Sequence, residues 1–194
     1  MKLRLNSLAV RLIATAAIWT MLGLLAGGLV LSAAFRTAAL SNFDAVLRTD
    51  LDGLIIAAQR EDDGIRLEQR FLNASYARVY SGRYFEIAPD SDGAPPLVSS
   101  RSLFGARLFP AITSRQGALA WGAAEGPDNQ HLRVLTQRVE LTGTSSGDAP
   151  GDIRAFRVMV AGDMAVVEAQ VDSFNGVLIT AFALLGAGLV IAIF

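Results

Sequence analysis

The sequence predicts an α+β protein in which two transmembrane helices flank an outer domain with a central antiparallel sheet. Two long uncharged apolar runs lie near the two ends of the 194-residue chain. Between them, several short segments alternate apolar and polar residues, which is typical of half-buried strands. Apolar residues spaced three or four apart join each run to this middle segment, which indicates amphipathic helices.

The two apolar runs are each long enough to cross a bilayer. Residues 12–35 form a run of 24 and residues 173–194 a run of 22, both without formal charge. A helix needs about 20 apolar residues to span the hydrocarbon core. A cleaved signal peptide is the alternative for the first run, but its apolar core is typically about 7–15 residues. A buried core helix is the alternative for the second run. We expect two retained membrane helices.

Composition and charge narrow the class of protein and predict its topology. Hydrophobic residues make up 52% of the chain and charged residues 18%, against about 25% charged in soluble domains. This argues against a disordered chain, a nucleic-acid binder and a simple cytosolic enzyme. Lys2, Arg4 and Arg11 precede the first run, whereas residues 36–172 carry a net charge of −4. The positive-inside rule therefore predicts that residues 1–11 are cytoplasmic and residues 36–172 lie outside. The absence of cysteine fits a bacterial periplasmic domain better than a disulfide-rich animal ectodomain.

The middle segment divides into predicted elements in chain order. Residues 36–60 carry one apolar helical stripe, formed by Leu40, Phe43, Leu47, Leu51, Leu54 and Ala58. Asp62–Gly64 is expected to end this helix, and a short second helix to follow over 65–73. The segments 76–80 and 83–87 flank Ser81-Gly82 and predict a β-hairpin. Further strands are expected at 97–103, 118–123, 131–141 and 153–161, with a polar loop over 142–152.

From Gly162 the apolar period becomes helical again and continues into the second membrane run. The spacing alternates between three and four residues, as at the a and d positions of a coiled coil. The residues of this signalling stripe are Met164, Val167, Val171, Phe174 and Leu178. The stripe crosses the predicted membrane boundary near Asp172; we expect it to be a dimer seam and, within the bilayer, to pack against another helix. The alternative is an ordinary stripe that packs on its own sheet.

The chemistry-bearing residues predict ligand binding rather than catalysis. The chain has no cysteine and a single histidine, His131, which excludes a His/Cys zinc site and a cysteine nucleophile. No catalytic or metal-binding residue is predicted, and His131 is interpreted as a surface residue. Arginine forks bind carboxylates and phosphates, and aromatic rings line small-molecule pockets. The candidate ligand-binding residues are Arg78, Tyr80, Arg83, Tyr84, Arg101 and Arg133.

Four stretches carry a family resemblance: residues 1–13 (MKLRLNSLAVRLI), 78–87 (RVYSGRYFEI), 99–104 (SSRSLF) and 132–139 (LRVLTQRV). With its two membrane runs, the chain resembles the N-terminal sensor half of bacterial two-component sensor histidine kinases. The resemblance implies a PAS-like periplasmic domain, a homodimer, and a cytoplasmic part beyond Phe194. In the family that part has a HAMP linker, a phospho-acceptor histidine and a domain that uses ATP and Mg²⁺ to act through a response regulator. None of these motifs lies in this sequence, so the chain itself is expected to be non-catalytic and without a cofactor.

Three functions stay open on the sequence. The first is a sensor that relays a periplasmic stimulus, not identified by these residues, to a kinase. The second is the sensor half of another two-span receptor, such as a chemoreceptor or a cyclase. The third is a non-enzymatic membrane protein that binds an envelope partner. The sequence that follows Phe194 distinguishes them.

Overall fold

A computed structural model describes residues 8–61, 64–67, 74–91, 94–109, 117–142 and 153–193. They form an α+β protein with a five-stranded antiparallel sheet, as predicted. The chain divides into two compact units. The first unit combines Met1–Ser41 with Val167–Phe194, and the second is Asn42–Val166.

Two long helices account for the two apolar runs. Helix α1 is continuous over Leu8–Ala57, and helix α2 covers Ala165–Ile193. Both are long and apolar enough to cross a membrane, and only 6% and 0% of their most apolar windows are buried. A core helix of a soluble protein would be mostly covered, so this exposure fits a membrane protein. The boundaries of the membrane segments, at 12–35 and 173–194, stay predictions.

Within the first unit, α1 and α2 touch through side chains of one chain. The rings of Phe35 and Phe174 stack with centroids 4.2 Å apart. The Ser32 hydroxyl donates to the Asn175 side-chain oxygen at 2.7 Å. Phe174, predicted to lie in a homodimer seam, is therefore partly covered by its own chain. The rest of the stripe is buried at Val167 and half-buried at Met164, Val171 and Leu178, and the homodimer stays a prediction.

The second unit is built around one antiparallel sheet. A separate two-stranded pair, β1 (Ala58–Glu61) and β2 (Gly64–Leu67), follows α1. The five strands of the sheet are β3 (Arg83–Pro89), β4 (Val98–Ser99), β5 (Leu119–Glu125), β6 (His131–Thr142) and β7 (Ile153–Asp163). Their order is β4-β3-β7-β6-β5, so β7 lies at the centre and β5 at one edge. The last residue of β7, Asp163, is one residue from α2, and its side-chain oxygen accepts from the Ala165 N–H at 2.9 Å.

Several predicted elements differ from the structure. The predicted helix over 65–73 is wrong where it is described, because Gly64–Leu67 forms β2, and α1 already ends at Ala57. The predicted hairpin of 76–80 with 83–87 is also wrong. Ala74–Tyr76 is a short 3-10 turn, and Tyr80 has a φ of 54° that interrupts extended backbone. Strand β3 pairs instead with β4 and, along all seven of its residues, with the distant β7.

The remaining strand predictions are close to the observed elements. Of the predicted strand over 97–103, Val98–Ser99 pairs as a strand and Arg101–Leu103 forms a 3-10 turn. The strands predicted near 118, 131 and 153 are confirmed as β5, β6 and β7. Residues 62–63 and 143–152, which hold the expected helix stop and most of the polar loop, lie outside the described residues.

The two faces of the sheet are covered differently. Successive side chains of a strand point to opposite faces, so Arg83 and Tyr84 are directed to different sides. On the Tyr84 face lies an apolar cluster of Tyr84, Leu103, Leu108, Leu132, Val134, Met159 and Ala161. On the Arg83 face lies the part of α1 that belongs to this unit, with Phe43 and Leu47 placed over Gly162.

Candidate functional site

One row of residues crosses the sheet beneath α1. Gly162 of β7 is paired with Arg83 of β3 on one side and with Arg133 of β6 on the other. This row is one residue from the end of β7, and α2 begins at Ala165. The strand that bears the row therefore leads almost directly into α2.

Gly162 lets α1 approach the sheet closely. A Cβ atom at this position would lie 2.5 Å from Cζ of Phe43 and 3.3 Å from Cδ2 of Leu47. Any side chain larger than hydrogen would collide with these two buried residues. A glycine within a strand often marks such a close approach, and here it admits the helix.

Two arginines hold α1 from opposite flanks. The Arg133 guanidinium binds Asp44 in a bidentate manner, with Nε and Nη2 at 2.6 and 2.7 Å from the two carboxylate oxygens. On the other flank, Arg83 Nη1 lies 2.9 Å from Oδ2 of Asp50. At 100° per residue, Asp44 and Asp50 lie on either side of the apolar stripe of α1. We call Asp44, Asp50, Arg83, Arg133 and Gly162 the helix clamp.

Buried aromatic groups reinforce the Asp50 side of the helix clamp. The Tyr76 hydroxyl donates to Oδ2 of Asp50 at 2.7 Å, the oxygen that Arg83 also binds. Burial and the neighbouring Asp50 carboxylate raise the pKa of Tyr76, so its phenol stays a donor. The Arg83 guanidinium also lies 5.5 Å from the centre of the Phe43 ring. Asp50 thus has two donors, and this flank has additional support.

A cleft at the β5 edge of the sheet lies next to the Arg133 side of the clamp. Its volume is about 1040 Å³, and we call it the edge cleft. The bulky side chains lining it are Phe109, Trp121, Glu125, His131, Leu132, Arg133 and Met164, and β5 adds small residues. The Arg133 guanidinium lies 4.7 Å from the centre of the Trp121 ring. Arg133 therefore belongs both to the helix clamp and to the edge cleft.

The edge cleft also reaches the residue before α2. Met164 lines the cleft, and its backbone N–H donates to the carbonyl of His131 at 3.0 Å. A small molecule bound in the edge cleft would contact Arg133, which holds α1, and Met164, which precedes α2. Ligand pockets are mostly apolar with a few placed polar groups, and this lining makes the edge cleft the candidate ligand site.

Of the ligand-binding residues predicted from the sequence, the structure brings one to the edge cleft, namely Arg133. Arg78 and Arg101 are exposed, on a turn and on a 3-10 turn. Tyr80 is 46% exposed, and its ring lies edge-on to Phe104. Tyr84 is fully buried on the other face, where its hydroxyl donates to Oε1 of Gln130 at 2.5 Å, and burial raises its pKa. Their role in binding stays a prediction.

On the opposite face of the sheet, the buried carboxylate of Glu86 is held by contacts within the domain. Glu86 is buried and accepts from the Leu108 N–H at 3.0 Å, with Arg107 at 3.9 Å. Burial raises the pKa of Glu86, although the Leu108 amide and the Arg107 charge oppose that effect. In the described part of the chain, no three histidine, aspartate or glutamate residues come close enough to hold a metal ion.

Sequence reasoning did not single out Trp121, Phe109 or the two aspartates of the helix clamp. The two aspartates could have been found from the sequence, because the helical spacing of 100° per residue places them on either side of the apolar stripe of α1. The glycine at 162 in an apolar strand was a second signal. Nothing in the sequence around Trp121 indicates that β5 is an edge strand beside a cleft, since this depends on the order of strands in the sheet.

The fold and site thus define a mixed α+β domain that carries a cleft, in a chain that also has two long apolar helices. A curated protein similar to this chain is Sensor protein kinase CarS of Pseudomonas aeruginosa, which is 34% identical over 101 residues. The aligned part covers 52% of this chain and 21% of that protein, so the chain matches about a fifth of its length. The similarity indicates a region related to part of a sensor protein kinase. No family model matches the chain, and no solved structure matches it.

Proposed function

We propose that this chain is the input half of a bacterial sensor histidine kinase. The observation that carries the proposal is the helix clamp, which joins continuous helix α1 to β7 one residue before the link to α2. A change in the outer domain then displaces two helices together, since no flexible segment lies between the clamp and either helix. The similarity to a sensor protein kinase supports this function over a chemoreceptor, a cyclase or a passive envelope-binding protein.

In this proposal residues 36–172 form a PAS-like periplasmic sensor domain and residues 1–11 lie in the cytoplasm of a bacterial inner membrane protein. A reporter enzyme active only in the periplasm, fused after Ser145, should be active. The same reporter fused before Met1 should be inactive. The reverse pattern would overturn the topology.

We further propose that the natural protein continues past Phe194 into a kinase that uses ATP and Mg²⁺ and phosphorylates a response regulator. The test uses the full natural protein in membrane vesicles with labelled ATP. Gly162→Ala, which alters the helix clamp, should change the level of autophosphorylation. Gly53→Ala, a control on α1 with open space around the added methyl group, should leave it unchanged. Equal effects of the two variants, or a downstream sequence without a kinase, would refute the proposal.

The homodimer is tested by disulfide cross-linking of single cysteines in membranes. Cross-links at Val167, Val171 or Phe174 would support the α2 stripe as the seam. Cross-links confined to Val177, which is 68% exposed, would move the seam to another face of α2, because Phe174 already stacks on Phe35 of its own chain. Absence of cross-links at all four positions would refute a homodimer along α2.

A further inference from the structure

We propose that the edge cleft binds a monocarboxylate with an apolar body, and that this carboxylate replaces Asp44 on Arg133. The inference rests on the proposed sensor function and assigns its ligand class and its switch. Arg133 has two roles, because it lines the edge cleft and also binds Asp44 of α1.

The charge of the edge cleft selects an anion with one negative group. Among the described residues that line it, Arg133 brings the permanent positive charge, and an arginine fork matches a carboxylate. Glu125 lines the same cleft and disfavours a second carboxylate in the ligand. Phe109, Trp121 and Met164 provide apolar surface for the remainder of the molecule.

The Arg133–Asp44 pair is placed to exchange its anion. The two side chains are 34% and 26% exposed, and an ion pair open to water contributes little net stability. A ligand carboxylate offers Arg133 the same bidentate geometry that Asp44 offers. The Trp121 ring keeps the guanidinium beside the cleft while its partner changes. In the proposed exchange the ligand carboxylate takes the Nε–Nη2 edge of the guanidinium that Asp44 occupies, so ligand binding and pairing with Asp44 exclude each other.

The exchange has a directional consequence, because the two flanks of the helix clamp differ. Among the described residues, Asp44 pairs with Arg133, whereas Asp50 is held by both Arg83 and Tyr76. Loss of the Asp44 contact leaves the Asp50 flank engaged. We therefore expect α1 to tilt about the Asp50 flank rather than leave the sheet.

The test measures binding to the whole 194-residue chain in detergent micelles, with Trp19→Phe so that Trp121 is the sole tryptophan. The probes are benzoate and hexanoate, with neutral benzamide as the comparison. The carboxylates should change Trp121 fluorescence saturably, and benzamide should not. No saturable response to either carboxylate, or an equal response to benzamide, would overturn the ligand class.

The benzoate affinities of variants on the two flanks distinguish replacement of Asp44 by the ligand from a general loss of structure in the helix clamp. Arg133→Gln should weaken benzoate binding about tenfold or more, and Arg133→Lys, which keeps the charge but loses the fork, should weaken it less. Asp44→Asn removes the competitor and should tighten binding about threefold to tenfold, by mass action between the two anions. Asp50→Asn breaks the matched pair on the other flank and should change affinity less than about twofold.

Weaker or unchanged binding in a folded Asp44→Asn variant, checked by circular dichroism, would overturn the exchange. If Asp44→Asn does not fold, Asp44→Glu replaces it, and unchanged affinity in that variant would count against the exchange. These measurements need no kinase, so their failure leaves the relay through α1 and α2 to be judged by autophosphorylation of Gly162→Ala.

Discussion

Replacement of Gly162 by alanine adds one methyl group at the point where α1 lies closest to the sheet. The new Cβ would lie 2.5 Å from Cζ and 3.2 Å from Cε1 of Phe43, and 3.3 Å from Cδ2 of Leu47. Carbon atoms in ordinary contact are about 3.5–4.0 Å apart. Phe43 is 5% exposed and Leu47 fully buried, so neither side chain can move into solvent. Either α1 shifts away from β7 or the Phe43 ring adopts a poor rotamer.

The expected loss follows from overpacking in a closed core. An extra methyl group in such a site costs about 1–3 kcal/mol of the free energy of unfolding. Since alanine also loses less backbone entropy than glycine, by about 0.5–1 kcal/mol, the net loss should be about 1–2 kcal/mol. The same change at Gly53, in α1 with open space around it, should stabilise the protein by up to about 1 kcal/mol. The two variants therefore have opposite signs.

Guanidinium unfolding of the full chain in micelles, followed by Trp121 fluorescence after Trp19→Phe, measures both values. Addition of Phe43→Leu to Gly162→Ala should recover part of the loss, because the ring is the nearest obstacle. A neutral or stabilising Gly162→Ala would refute the close approach of α1 to β7.

Three further changes test the described contacts. Thr136→Val should stabilise the protein by about 1 kcal/mol, because the buried Thr136 hydroxyl has no hydrogen-bond partner among the residues that the structure describes, a desolvation cost that valine avoids. Burial raises the pKa of Glu86, so the free energy of unfolding of the wild type falls as the pH rises from the ordinary carboxyl pKa through the raised one. The loss is about 1.4 kcal/mol per unit by which the pKa is raised. Glu86→Gln should remove this pH dependence of stability. Asp90→Asn should destabilise by about 1 kcal/mol, more at low salt, because Asp90 binds Arg138 at 2.7 Å and Arg157 at 3.2 Å across paired strands.

Each of these predictions has an opposite result that counts against its contact. Loss of stability in Thr136→Val would mean that the hydroxyl is satisfied. Unfolding midpoints of wild type and Glu86→Gln that stay parallel between about pH 4 and pH 8 would contradict the raised pKa of Glu86. A salt-independent effect of Asp90→Asn would remove the electrostatic argument for the pair of arginines.

Local pattern accounts for the parts of the fold that were predicted well. The uncharged runs at 12–35 and 173–194 indicated long helices, because hydropathy over about 20 residues needs no knowledge of partners. The alternation of β6 and β7 indicated strands for a similar reason. The stripe through Leu47, Leu51 and Leu54 marked the face of α1 that is buried. In each case neighbouring residues carry the whole signal.

Pairing between distant segments accounts for the parts that were predicted wrongly. Strand β3 was matched to the preceding residues 76–80, because a turn at Ser81-Gly82 favours a local hairpin. Its actual partner β7 starts at Ile153, and such a contact leaves no trace in a local window. The short β2 was mistaken for a helix since four residues do not define a period.

The sequence alone determined that two long apolar helices precede and follow a mixed α+β domain along the chain, and it predicted arginine as the candidate recognition chemistry. Tertiary structure decided which arginines have which role. Strand order places Arg83 and Arg133 on either side of Gly162, and strand alternation sends Tyr84 to the opposite face. The physical reason is that hydrophobic period is a property of neighbouring residues, whereas the helix clamp and the edge cleft depend on the register of strands far apart in the chain.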